Sequence, residues 1–208
     1  MTARGPRGAM TALFIFLAAA GVRAESTPPE WEVLKTGRVV AGEVFTARPD
    51  GRHSTDVVVK AWIKAPRQEV WKTLRDYDRF AEFFPKVRDV HTVKREGESY
   101  WVYYRTEVLW VTVVYHLKLT AIKPFRRIEF ETAPELPNDL KEVRGFWAFD
   151  DAPGGLGTVL TYSVQVDTGI PAPEFLARKL SKPGLVEVVE NARRRVESGN
   201  SWRKPEGS

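Results

Sequence analysis

At 208 residues, with 43% hydrophobic and 28% charged side chains, the chain is long enough for one domain with its own core and has the composition of a globular protein. The lack of cysteine excludes a disulfide framework, a thiolate metal site and a thiol nucleophile. Arg4, Arg7 and Arg23, with no acid among residues 1–24, account for much of the +5 formal charge; without them 29 basic side chains face 27 acidic ones, which is no nucleic-acid footprint.

Arg4 and Arg7 precede an apolar run from Ala9 to Val22, and Val22-Arg23-Ala24 places small residues at the two positions a signal peptidase reads. The pattern predicts a secretory signal over residues 1–24 and an exported, periplasmic protein. The run is shorter than the about 20 residues of a spanning helix, so an uncleaved membrane anchor is the lesser alternative. Residues 25–54 read as an N-terminal extension: a polar, Pro-containing tether over Glu25 to Glu30, then an added strand from Val39 to Thr46. Arg48-Pro49-Asp50-Gly51 makes the turn into a second strand, Thr55 to Ile63, in which Val57, Val59, Ala61 and Ile63 share the core face.

Pro66 opens a helix in which Val70, Trp71 and Leu74 recur at helical spacing; Tyr77, Phe80 and Phe84 continue the stripe until Pro85 ends it. From Val87 the hydrophobic period becomes two. Strands are expected over Val87 to Lys94, Ser99 to Val108, Val111 to Ile122, Arg127 to Thr132, Lys141 to Asp150 and Thr158 to Asp167. Ala133 to Asn138 is irregular, and Pro153-Gly154-Gly155-Leu156-Gly157 forms a turn, not a phosphate loop, because no helix follows it.

A reversal is required between Glu107 and Thr112, yet Leu109 and Trp110 at its tip are apolar. They either fold back onto the body or form a tip that touches a membrane or guards a cavity mouth. A last helical segment, about Pro173 to Glu197, carries Phe175, Leu176 and Leu180 before a break at Lys182-Pro183-Gly184, and Leu185, Val188, Val189, Ala192 and Val196 after it. Arg193, Arg194 and Arg195 near its end read as a solvated face that complements the helix dipole. Residues 198–208 read as a disordered tail.

One strand, a short helical insert, an antiparallel run and a closing helix describe an α+β domain in which a curved sheet wraps a helix. The residues Ala65-Pro66, Glu69-Val70-Trp71, Leu74, Asp76-Tyr77 and Phe84-Pro85-Lys86-Val87, with Gly145-Phe146-Trp147-Ala148-Phe149, Thr158 to Tyr162 and Ile170-Pro171, resemble the START-like (Bet v 1-like, SRPBCC) superfamily. That superfamily includes the polyketide cyclase/dehydratase and coenzyme Q-binding START groups. The likeness covers residues 55–197 and implies a helix-grip fold with an elongated apolar pocket.

By strand parity and this resemblance, Tyr115, Leu117, Phe130, Trp147, Phe149, Leu160, Tyr162 and Leu180 are candidates to line the pocket. Both faces of the 99–108 strand carry candidates: Tyr104 on one, Arg105 and Glu107 on the other. The last two are either a surface ion pair or a buried anchor that orients a ligand oxygen. His53, His91 and His116 lie in no metal-ligand spacing, and His116 falls on the polar, solvent-facing parity. No catalytic residue, metal or cofactor is assigned. The reading that follows is a binder or carrier of an apolar small molecule (a lipid, sterol or isoprenoid quinone), with transient membrane contact and no nucleic-acid partner. The alternatives are a cyclase, aromatase or dehydratase acting on a polyketide-like substrate, and an interaction module whose interior is filled by its own side chains.

Overall fold

A computed structural model describes residues 28–47, 53–108, 111–167 and 182–206. Within them the elements are α1 (Pro28–Leu34), β1 (Val40–Ala47), β2 (His53–Ile63), α2 (Arg67–Arg75), a 3-10 turn (Tyr77–Arg79), α3 (Phe80–Phe83), β3 (Val87–Glu96), β4 (Ser99–Val108), β5 (Val111–Lys123), β6 (Arg127–Thr132), β7 (Glu142–Asp151), β8 (Thr158–Asp167) and α4 (Lys182–Glu197). The strands form one antiparallel sheet in the order β1-β2-β8-β7-β6-β5-β4-β3. The fold is the curved sheet with a C-terminal helix that the alternation of periods implies.

β2 and β8, distant in the chain, are neighbours, Val59 facing Tyr162 and Ala61 facing Leu160. Val59, Ala61 and Ile63 are fully buried, as the period-two pattern requires of one face. α4 covers the same side of the sheet with Leu185, Val189, Ala192 and Val196, spaced so that all four fall on one helical stripe. Pro183 sits in the first turn of α4, where its missing N–H leaves no carbonyl unpaired, so the expected break is the start of this helix. Phe175, Leu176 and Leu180 lie outside the described residues.

α2 buries Val70, Trp71 and Leu74 against one end of the sheet. Phe80, Phe83 and Phe84 pack edge to face with centroids 4.4–5.5 Å apart, an arrangement their ring quadrupoles favour. Register shifts in β3 and β5 mark bulges, which bend a strand and raise its twist. Val108 pairs with Val111, so the reversal is a two-residue connection; Leu109 and Trp110 themselves lie outside the described residues.

Four expectations are corrected. The tether stops before Pro28: α1 docks on the outer side of β2, with Glu30 2.9 Å from Lys60 Nζ and Trp31 edge-on to Trp62 at 5.5 Å. Residues 198–206 are docked, not disordered. The Lys204 amide donates to the Glu82 carbonyl, and its ammonium donates to the carbonyls of Phe84 (2.8 Å) and Val87 (2.6 Å). Arg195 is 2% exposed and pairs with Glu82, so the Arg193–Arg195 run is not one solvated face. His116 is 8% exposed, because the irregular 133–139 stretch folds over the outer face of β5. Its Nδ1 is 2.7 Å from the Pro137 carbonyl, and Asn138 Oδ1 accepts from its amide.

Candidate ligand cavity

Between the sheet and α4 lies a hollow of about 410 Å3, within the roughly 300–1,000 Å3 usual for small-molecule pockets. Five adjacent strands supply the wall from one parity each. β4 presents Tyr104 and Thr106, and β5 presents Val113, Tyr115, Leu117 and Leu119. β6 adds Phe130, β7 adds Val143 and Trp147, and β8 adds Tyr162, Val164 and Val166. α4 contributes Leu185 and Val188, and the segment after α3 contributes Phe84 to Val87. The charged residues of the described lining are Lys86 and Glu187, and Glu187 is exposed.

Register organises the aromatic part of the wall. Tyr104 faces Tyr115 across β4 and β5, and their rings stack with centroids 5.2 Å apart and planes 5° apart. Trp147 faces Tyr162 across β7 and β8, stacked at 4.0 Å, and Phe84 lies nearly parallel to Trp147 at 5.9 Å. Directly opposed side chains on one sheet face are close enough for this contact. Burial pushes the hydroxyls of Tyr104, Tyr115 and Tyr162 well above the ordinary tyrosine range. They are therefore protonated donors at neutral pH.

Of the residues that sequence reasoning offers for the pocket, the structure brings Tyr104, Tyr115, Leu117, Phe130, Trp147 and Tyr162 to its wall. Phe149 and Leu160 have the inward parity but not the height. They face each other across β7 and β8 at the end covered by α2, both fully buried, with Trp71 5.2 Å from Phe149. They are core. Arg105 and Glu107 are on the outer face of β4, with side chains 40% and 37% exposed. Glu107 pairs with Arg88 at 3.0 Å, so the surface ion pair replaces the buried anchor. The reason is parity: Tyr104 and Thr106 point inward, and residues 105 and 107 cannot. Leu180, Leu109 and Trp110 lie outside the described residues.

Several further lining residues are legible in the sequence. Val164 and Val166 share the parity of Tyr162, and Leu185 and Val188 lie on the stripe of the closing helix. Pro85 and Lys86 carried no such signal, because a turn supplies them. Lys86 adopts a left-handed backbone (φ 63°), uncommon for a residue with a Cβ, and Lys204 holds the carbonyls on either side of it. No group of three His, Cys, Asp or Glu side chains able to hold a metal ion occurs among the described residues.

A curved antiparallel sheet gripping a terminal helix round an apolar hollow defines a helix-grip domain of the START-like class. The chain belongs to the family described as polyketide cyclase/dehydrase and lipid transport, whose family model matches residues 63–193. No curated relative matches it by sequence. Its fold is similar to the STAR-related lipid transfer protein of Xanthomonas axonopodis (TM-score 0.60, 18% identity, covering 74% of this chain and 98% of that one). TTHA0849 of Thermus thermophilus is also similar (0.59, 20%, 70% and 99%), as is the Zhui aromatase/cyclase of Streptomyces sp. R1128 (0.53, 17%, 79% and 99%). At these identities the likeness is one of fold.

Proposed function

We propose that this protein binds and carries an apolar small molecule in the hollow between the sheet and α4. The observation that carries the reading is the hollow itself: an apolar, aromatic-walled space that the described side chains leave open. Among the described residues that open space favours a binder over an interaction module filled by its own side chains. Burying roughly ten methylenes would gain a gross ~8 kcal/mol. Association and ordering take back a large part of that, and the remainder suits a carrier that must also release. The lipid transport named in the family description, and the likeness to a STAR-related lipid transfer protein, support carriage. The leader pattern of residues 1–24, outside the described residues, supports an exported carrier working in an aqueous compartment beside a membrane.

A second reading, a cyclase or dehydratase, is favoured by the other half of that description and by the similarity to an aromatase/cyclase. Tyrosines held protonated can donate a hydrogen bond, a role open to the recognition of a carried ligand and to a general acid alike.

Native mass spectrometry of the purified protein, followed by solvent extraction, tests the reading. The expected result is a bound apolar passenger, lost in a Val188→Trp variant that fills the hollow and keeps the wild-type circular dichroism spectrum. Protein that is empty when purified and takes up no long-chain alcohol, fatty acid or isoprenoid alcohol overturns it. Conversion of a polyketide-like substrate would establish the second reading in its place.

A further inference from the structure

α2 lies across one end of the sheet, where the β3–β4, β5–β6 and β7–β8 turns come together. Arg67 pairs with Asp151 at the end of β7, Trp71 packs on Phe125 of the β5–β6 turn at 5.7 Å, and Arg75 pairs with Glu98 of the β3–β4 turn. Three of the large apolar side chains that the described residues expose stand at this end: Ile122 (49%), Phe125 (41%) and Leu156 (59%). The Ile122-Lys123-Pro124-Phe125-Arg126 tip is exposed throughout. Phe125 holds a left-handed backbone (φ 58°), unfavourable for a residue with a Cβ, so its ring is kept at the tip against local preference. Leu156 is held as well, because its carbonyl accepts from Trp62 Nε1 at 2.9 Å. The connections 48–52, 109–110 and 168–181, outside the described residues, start and finish at the opposite end of the sheet.

The unpaired charge at this end is mostly positive. Asp150 and Asp151 are met by Arg126 and Arg67, and Glu98 by Arg75. Lys64, Lys72 and Lys123 are exposed and pair with no carboxylate among the described residues, against Glu69 as the unpaired carboxylate of α2. The β5–β6 and β7–β8 tips stand two strand spacings apart, about 10 Å, with Lys123 and Arg126 beside the apolar side chains. A protein partner is met by a flat apolar centre inside a polar rim. Protruding apolar side chains interleaved with cations instead suit a fluid surface, which each enters separately while the cations stay level with anionic headgroups.

From these observations we infer that the end of the molecule crossed by α2 docks on an anionic lipid bilayer. Ile122, Phe125 and Leu156 enter the interface, and Lys64, Lys72 and Lys123 meet the headgroup phosphates. The face is separate from the hollow and binds whether or not a passenger is carried. Docking there also fixes an orientation. The solid core of Trp71, Phe149 and Leu160 lies next to the bilayer, and the hollow lies farther out along the same strands, with Thr106, Val113 and Val166 on the side away from the lipid.

The chain has no cysteine, so a single introduced one carries a label that reports only its own surroundings. Full-length Ile122→Cys and Leu156→Cys, with Val93→Cys and Val111→Cys as controls, are labelled with an environment-sensitive fluorophore. Each is titrated with vesicles of phosphatidylcholine alone or mixed equally with phosphatidylglycerol. The expected result is a blue-shifted, brighter emission from Ile122→Cys and Leu156→Cys on the phosphatidylglycerol vesicles only, and none from Val93→Cys. Adding Lys72→Gln and Lys123→Gln together weakens that binding about tenfold or more, as the loss of two cations near a charged surface requires. Circular dichroism checks each fold, and Phe125→Cys replaces a reporter that fails to fold. An aqueous signal from both reporters, an equal response to neutral vesicles, a response confined to Val111→Cys, or binding that the two lysine changes leave untouched overturns the inference. A concentration-dependent shift without vesicles also overturns it, marking an interface between copies of the chain. The carrier reading, tested by extraction, stands or falls separately.

Discussion

Arg195 heads the fully buried side chains of the described residues by volume. Its guanidinium donates to Glu82 at 2.5 Å and to the Trp202 carbonyl at 2.8 Å, and stands 5.6 Å from the Phe83 ring centre. Removing one partner of a buried pair leaves the other charge uncompensated. Arg195→Met is therefore expected to lower stability by about 3 kcal/mol, toward the lower end because Arg203 remains 3.5 Å from Glu82. Urea unfolding measures the loss, and a second substitution, Glu82→Gln, should restore part of it. Lys204 behaves differently. Burial, and then the nearby Arg88 and Lys86, lower its pKa from the ordinary 10.5 to about 8. Between about 8 and 10.5 the unfolded chain holds this proton and the folded one does not, so stability from this group rises with pH across that window. Melting temperatures of wild type and Lys204→Met between pH 7.5 and 9.5 check the sign: the wild type should gain on the variant as pH rises. A parallel pH response in the two proteins would contradict it. Neither residue was legible as special. Successive helical residues point about 100° apart, so three adjacent arginines cannot share one surroundings, and only the packed neighbours show which of them is enclosed.

At the scale of the element, β7 shows how one residue without a side chain shapes the wall. Gly145 faces Phe130 on one side and Val164 on the other. A Cβ built there would lie inside van der Waals contact of the Ser163 carbonyl oxygen and of the Phe130 ring, and the backbone oxygen cannot swing away. Gly145→Ala is expected to cost about 1–3 kcal/mol as an overpacking substitution and, because Phe130 lines the hollow, to weaken passenger binding as well. Thermal melts and the extraction assay read the two effects together; a variant as stable as wild type would show that the strands yield more easily than their spacing implies. The strands themselves were the most legible part of the molecule. β4, β6 and β8 span the residues their alternation predicts, because a half-buried strand writes its own period into the chain. α1 was not legible. Its seven residues stay helical through tertiary contacts, Trp31 on Trp62 and Glu30 on Lys60, which no local pattern announces.

At the scale of the whole molecule, the sheet and α4 enclose the hollow beside the first turns of the helix, where Leu185 and Val188 stand, and the later turns, with Ala192 and Val196, belong to the core. Where α2 covers the strands, Phe149 and Leu160 pack into solid core against Trp71; farther along the same strands, Trp147 and Tyr162 border the hollow. Two residues' difference along β7 thus separates core from cavity. The C-terminal residues complete this arrangement, since Lys204 ties down the turn carrying Pro85 and Lys86, which close part of the wall. The docked tail is thereby part of the cavity's construction.

The amino-acid sequence alone determined the order of elements, the period of each strand and the set of residues that share a face, because these follow from backbone geometry and the pairing of apolar with apolar. It could not choose between the two faces of β4. Aromatics stand on both: Tyr104 borders the hollow, while Trp101 on the opposite face is buried beneath Glu135 of the irregular stretch. Which face looks inward, and how far along each strand the core gives way to open space, depends on where α2, α4 and the tail come to rest on the sheet. Those contacts join residues distant in the chain, and only the folded molecule decides them.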